Sequence, residues 1–238
     1  MKLIKGLLSS VAMVGLSLSA MTANAALTIV SSVGGAPSIP GVTKWNFDDP
    51  IALPVGVTSM TLFGSADLVT NSLSGKYAAP YLSGNNGQGF GPDGTDQANG
   101  LDTTQYVTAG STTDGATSRV EIQFTHALRY LGLLWGSVDP YNTLSFFMGT
   151  AGVGSITGSQ VTPAATGNQG ELGTFYVNIN SDMDFDRVVF TSSNFAFEFD
   201  NLAFSKTPIP PVPLPAAAWL LLSGLAGLGV VGRRRKAA

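Results

Sequence analysis

The chain is expected to be all-β, an antiparallel β-sandwich between two hydrophobic terminal segments, and three observations predict it. Short runs rich in Val, Ile, Thr and aromatics recur between Gly, Asn, Asp and Pro clusters from residue 27 to 204. No stretch between the terminal segments has a helical period. The 238 residues include 29 Gly and 13 Pro but only 11% charged residues and no Cys, a composition suited to many strands and tight turns.

Lys2 and Lys5 precede an apolar run over 6–20, and Ala23-Asn24-Ala25 forms an Ala-x-Ala cleavage site. This order defines a secretory signal peptide over 1–25, handled by the Sec translocon and signal peptidase, with a mature chain starting at Ala26.

Residues 26–206 are enough for one domain with a hydrophobic core. They hold all 15 acidic residues against six basic ones, a net charge of −9 where the whole chain carries −3. So acidic a surface repels polyanions, and nucleic acid is not an expected partner. Without Cys an exported domain has no disulfide framework, so its core must suffice or a metal must tie it together.

Strands are expected at 27–33, 55–63, 104–108, 118–125, 130–135, 143–148, 153–157, 173–179, 187–192 and 194–204. Val120, Ile122 and Phe124 alternate with Glu121, Gln123 and Thr125, giving that strand one wet face. Residues 129–135 are apolar on both faces and should be central. In the last strand Phe195, Phe197 and Phe199 share one parity while Leu202 and Phe204 share the other, so a bulge at Asp200-Asn201 is expected to restore a single apolar face. The Gly- and Asn-rich segment 83–102 has no periodicity and reads as a flexible, solvent-facing loop. Its Asp93, Asp96 and Asp102 match no EF-hand or nonapeptide spacing.

Catalytic signals are sparse. The single His126, placed after a strand end, has no Gly-x-Ser-x-Gly elbow to work with, and the residue counts leave no Cys or His cluster for zinc. Glu121, Glu171 and Glu198 are available for glycoside hydrolysis, but nothing singles out a pair. No catalytic residue is assigned, and the domain is not expected to be an enzyme.

The C-terminal end has three parts in fixed order: a Pro-rich linker over 207–215 ending in Val212-Pro213-Leu214-Pro215, an uncharged run of 17 residues over 216–232 starting at Ala216, and a basic tail over 233–238 containing Arg233, Arg234, Arg235 and Lys236. Two prolines keep the tip extended. The apolar run is at the short limit for a transmembrane helix, with Trp219 at one interface and the cations as a cytoplasmic stop. Together these parts resemble the PEP-CTERM sorting signal in its Val-Pro-Leu-Pro-Ala variant. The resemblance implies that exosortase, a multi-spanning cysteine protease-transpeptidase, is the partner, and that the chain is its substrate. It implies a transient inner-membrane anchor facing the periplasm, then delivery to the cell surface or extracellular matrix.

Two further resemblances lie inside the domain. The segment 197–204 is similar to the closing strand of jelly-roll carbohydrate-binding modules, and Trp45-Asn46-Phe47-Asp48-Asp49 to their opening strand. This resemblance implies a jelly-roll-like sandwich and a structural calcium held by Asp48, Asp49 and Asp200. Turn or bulge hydrogen bonding accounts for the same residues. The block Trp135-Gly136-Ser137-Val138-Asp139-Pro140-Tyr141-Asn142 resembles one in a family of exosortase-dependent surface proteins. In it Trp135 and Tyr141 are candidates to stack on a sugar, with Asp139 and Asn142 bonding its hydroxyls; turn chemistry also explains each residue. The expected function is a structural or adhesive matrix role linked to exopolysaccharide, with a secreted glycan-active enzyme on the same fold as the alternative.

Overall fold

The computed structural model describes residues 25–32, 41–49, 52–110 and 118–209. The sorting motif, apolar span, basic tail and, apart from Ala25, the signal peptide lie outside the described residues. Among the described residues no helix is long and apolar enough to cross a membrane.

The fold is all-β and antiparallel. Its strands are β1 Leu27–Ser32, β2 Thr43–Trp45, β3 Val57–Phe63, β4 Asp67–Val69, β5 Tyr81–Leu82, β6 Gly100–Leu101, β7 Tyr106–Ala109, β8 Ser118–Gly136, β9 Asn142–Met148, β10 Ala151–Thr157, β11 Phe175–Ser192 and β12 Phe197–Ser205. The two longest, β8 and β11, each take part in two sections of sheet. The first half of β8 lies between β3 and the second half of β11, which continues to β9 and β10. The second half of β8 lies between the first half of β11 and β12. Beyond these, β1 flanks β11, and β12 continues to β2, β7 and β4.

Breaks are expected near 126–129 and 180–186, yet both strands run through. Bulges between Asn180 and Arg187 let β11 turn the corner without leaving the ladder. Asp182, Met183 and Asp184 are exposed at this corner, where Arg129 bonds the Asp184 carboxylate and the Asp182 carbonyl, each at 2.5 Å. His126 is exposed within β8 at the same bend, not after a strand end.

Doubling of the sheet gives a sandwich-like core. Phe190 of the first section stacks on Phe199 of the second, with centroids 3.9 Å apart and planes 10° from parallel. Phe185 meets Phe124 and Phe146 edge-on. Val120, Ile122 and Phe124 point into this core as their alternation predicts, and residues 130–136 are buried in the centre of the second section. Burying each such side chain is worth about 1.5–3 kcal/mol, which is how a domain without disulfides holds together.

The bulge in β12 is present. Its pairing with β8 shifts between Asp200 and Ala203, and Asn201 has φ of 51°. Phe197, Phe199, Leu202 and Phe204 therefore all join the main core, while Ala203 joins a second cluster with Leu82, Phe90, Tyr130, Leu134 and Tyr176. That second cluster corrects the expectation for residues 83–102. The segment is not a solvent-facing loop: β5 and β6 pair across it, and Phe90 and Asn86 are buried against the second sheet section. Its glycines permit close folding over the sheet; a Cβ on Gly87 would meet Gln97 at 2.9 Å.

Candidate functional site

The strand β12 supplies two buried acids to one face. Glu198 and Asp200 are two residues apart and so share the side away from the phenylalanine core, where the segments 72–79 and 81–104 cover them.

Around Glu198 a polar cleft of about 360 Å³ opens, lined by Ser72, Lys76, Tyr77, Asp139, Tyr141 and Gln169 among others. Glu198 is 1% exposed and accepts hydrogen bonds from Ala78 N at 2.9 Å and from Ser137 Oγ. Burial holds its carboxyl up to about 7, the two donors offset part of this, and the nearby Asp139 adds to it. Tyr141 Oη lies 2.7 Å from Asp139 Oδ2 and 2.6 Å from Phe195 O. Burial also raises the Asp139 carboxyl, against the Tyr141 hydrogen bond that lowers it. Gly167, at φ of 67°, leaves room for that carboxylate, since a Cβ there would stand 2.7 Å from Asp139 Oδ1. A second, less polar cleft of about 470 Å³ shares Leu73, Lys76, Tyr77 and Phe195 with the first. The two clefts adjoin at these four residues.

Of the four residues expected to touch a glycan, the structure brings Asp139 and Tyr141 to this cleft and withdraws the other two. Trp135 is fully buried and stacks on Phe197 at 4.2 Å and 16°, which leaves no ring face for a sugar. Asn142 is also buried, bonded to Ala196 O at 3.0 Å and Ser192 Oγ at 2.9 Å. Core packing accounts for Trp135, and Asn142 ties the start of β9 to Ser192 and Ala196 about fifty positions on. Tyr77 and Glu198 were not singled out by sequence reasoning; the parity of β12 places Glu198 opposite the phenylalanines and was the one available signal.

Around Asp200 the situation differs. Asp200 and Asn201 are fully buried and Asp102 is 2% exposed. The Asp102 and Asp200 side chains are within hydrogen-bonding reach of one another, and burial first, then this neighbour, pushes the Asp200 carboxyl well above the usual range. Both Asp200 oxygens, Asp102 Oδ2 and Asn201 Oδ1 have no hydrogen-bond donor. The Asn201 backbone N–H lies alongside the Asp200 carboxylate but out of bonding geometry.

The three ligands expected for calcium, Asp48, Asp49 and Asp200, do not form a triad. Asp48 takes Asn46 Nδ2 at 2.5 Å and Gln105 N at 3.2 Å, and exposed Asp49 accepts from Ala52 N at 3.3 Å. Asp49 makes a local turn bond, whereas Asp48 joins Asn46 to the distant Gln105; the acid in side-chain reach of Asp200 is Asp102, and Asp48 adds its charge to that of both. Among the described residues no three acidic, cysteine or histidine side chains converge at metal-binding spacing. No family model, curated protein or solved structure matches the chain.

Proposed function

We propose that this chain is an exported protein of the cell surface or extracellular matrix, processed by exosortase, whose jelly-roll-like sandwich binds polysaccharide without turning it over. The sequence of the tail carries the sorting half of this reading: a Pro-x-Pro tip, an uncharged run and a basic stop in that order, opposite a cleavable signal at the other end. The polar cleft around Glu198 supports the binding half. It offers the Tyr77 and Tyr141 rings beside the hydroxyl-bonding groups Asp139, Gln169 and Ser72, the mixture that polyhydroxylated ligands require.

A glycan-active enzyme is the second reading, and Glu198 is what favours it, since a carboxyl held near neutrality beside a second carboxyl is how an acid catalyst is made. A glycan array with the full chain, followed by a hydrolysis assay on every bound glycan, separates the two. Binding without product is expected, with affinity falling on Tyr77→Ala; turnover that disappears in Glu198→Gln would establish the enzyme instead. For sorting, deletion of 212–238 should yield a soluble exported domain, and neutralising residues 233–236 should weaken membrane retention. Parent-like localisation of both variants refutes the sorting half.

A further inference from the structure

We propose that Asp102, Asp200 and Asn201 form a site for a buried divalent cation of the calcium class, which clips the 81–104 segment onto the bulge of β12. Asp200 has no exposed surface and Asp102 almost none, yet four oxygens of these three side chains lack a donor. Two carboxylates that face each other inside a protein coexist only when a shared proton or a cation lies between them.

No protein cation fills the role. Among the described residues the ion pairs are Arg119–Glu121, Arg187–Glu121 and Arg129–Asp184, none of which reaches this cluster. Lys44 in the same layer is turned to Gln88 O at 3.3 Å and to the face of Phe90 at 4.9 Å.

The remaining hydrogen bonds fix the three side chains in place and leave the acceptors free. Asp102 Oδ1 is held by Thr104 N at 2.8 Å and Thr104 Oγ1 at 2.6 Å, which leaves Oδ2 over. Asn201 commits its amide nitrogen to Gln97 Oε1 at 3.0 Å and Asn86 O at 3.4 Å, both in the covering segment, which leaves its Oδ1. The bulge turns Asn201 to the same side as Asp200, at the left-handed φ that Asn tolerates. An all-oxygen set of carboxylate and amide groups selects a hard cation, and full burial favours Ca²⁺ over Mg²⁺, which gives up its water reluctantly. Such a cation would join two segments about a hundred positions apart, the role a disulfide cannot fill in a chain without cysteine.

The test uses the full chain in detergent, stripped with EDTA and then titrated with Ca²⁺, read by melting temperature and by Tb³⁺ luminescence sensitised by the neighbouring Tyr176. A rise in Tm of about 5–10 °C is expected at a hundredfold excess of Ca²⁺ over its Kd. Saturable Tb³⁺ emission should be displaced by Ca²⁺. Asp200→Asn and Asp102→Asn should each abolish both responses, and Asp49→Asn should keep both. If Asp200→Asn does not fold, the parent titration and Asp102→Asn still decide. A parent Tm indifferent to Ca²⁺ and EDTA, without displaceable Tb³⁺, would show that a shared proton holds the pair and would overturn the proposal. Responses that survive both substitutions would overturn it as well, by placing the cation elsewhere.

Discussion

Glu198 and Asp200 are neighbours on one face of one strand, equally buried, and they end in opposite circumstances. Glu198 receives a backbone N–H from Ala78 and a hydroxyl from Ser137. Asp200 faces another acid with no donor at either oxygen. The difference arises from the covering segments. Residues 72–79 present a backbone donor to the strand, whereas 81–104 presents Asp102 and side-chain amides whose hydrogens are already committed. A buried carboxyl is thus completed from within the chain at one position, and its neighbour calls for something from outside.

The strongest challenge to this picture comes from the other face of β12, which must hold both acids in place. Trp135→Ala removes the ring stacked on Phe197 and is expected to cost about 3–5 kcal/mol. Urea denaturation measures it. Tyr141→Phe, by contrast, should change stability little and glycan affinity more. A Trp135→Ala protein that keeps its stability but loses glycan binding would return Trp135 to the binding surface.

Next in size is the contrast at Glu198 itself. Glu198→Leu strands Ala78 N–H and the Ser137 hydroxyl in a buried site, at about 2–4 kcal/mol. Glu198→Gln keeps a carbonyl oxygen for Ala78 and should lose less than half as much. Equal losses would mean that Glu198 acts through its charge rather than as an acceptor. A smaller effect is expected at the bulge, where Asn201→Ala gives up the bonds to Gln97 and Asn86 and places Ala at φ of 51°, for about 1–3 kcal/mol. Because β12 would still be anchored by its phenylalanines, the 81–104 segment should loosen first, visible as faster amide exchange at Asn86 and Gln97 than in β8.

Much of this was legible in the chain because parity carries it. The alternation at 120–124 and the parity change at Asp200-Asn201 foretold the wet face and the bulge, since a strand's side-chain period admits no other way to keep one apolar face. What failed was information held by partners distant in sequence. Trp135 looked like a sugar platform because nothing local shows Phe197 lying across it. Residues 83–102 looked free because Gly and Asn mark permissive backbone without saying what the backbone rests on. Asp200 was expected to meet Asp48 and Asp49, but the acid in side-chain reach of it is Asp102, about a hundred residues away, with Asp48 contributing only its charge and Asp49 bonded to Ala52 N. The merging of expected strands into β8 and β11 has the same origin, because residues exposed at a bend interrupt the strand pattern locally while the ladder continues through them.

That corner offers the smallest effect and a direct check on how the two sheet sections are joined. Arg129 spans the bend with bonds to Asp184 and to the Asp182 carbonyl, while both charged side chains remain partly in solvent, at 35% and 51% exposure. Solvent-exposed pairs of this kind contribute up to about 1 kcal/mol, and salt screens them. Arg129→Ala should therefore lower the urea midpoint slightly at low ionic strength, and the deficit should shrink in high salt as the parent loses the same interaction. Should Arg129→Ala instead cost several kcal/mol regardless of salt, the corner would depend on the packing of the arginine stem across β8 and β11, and the bulges between Asn180 and Arg187 would not suffice to turn the strand.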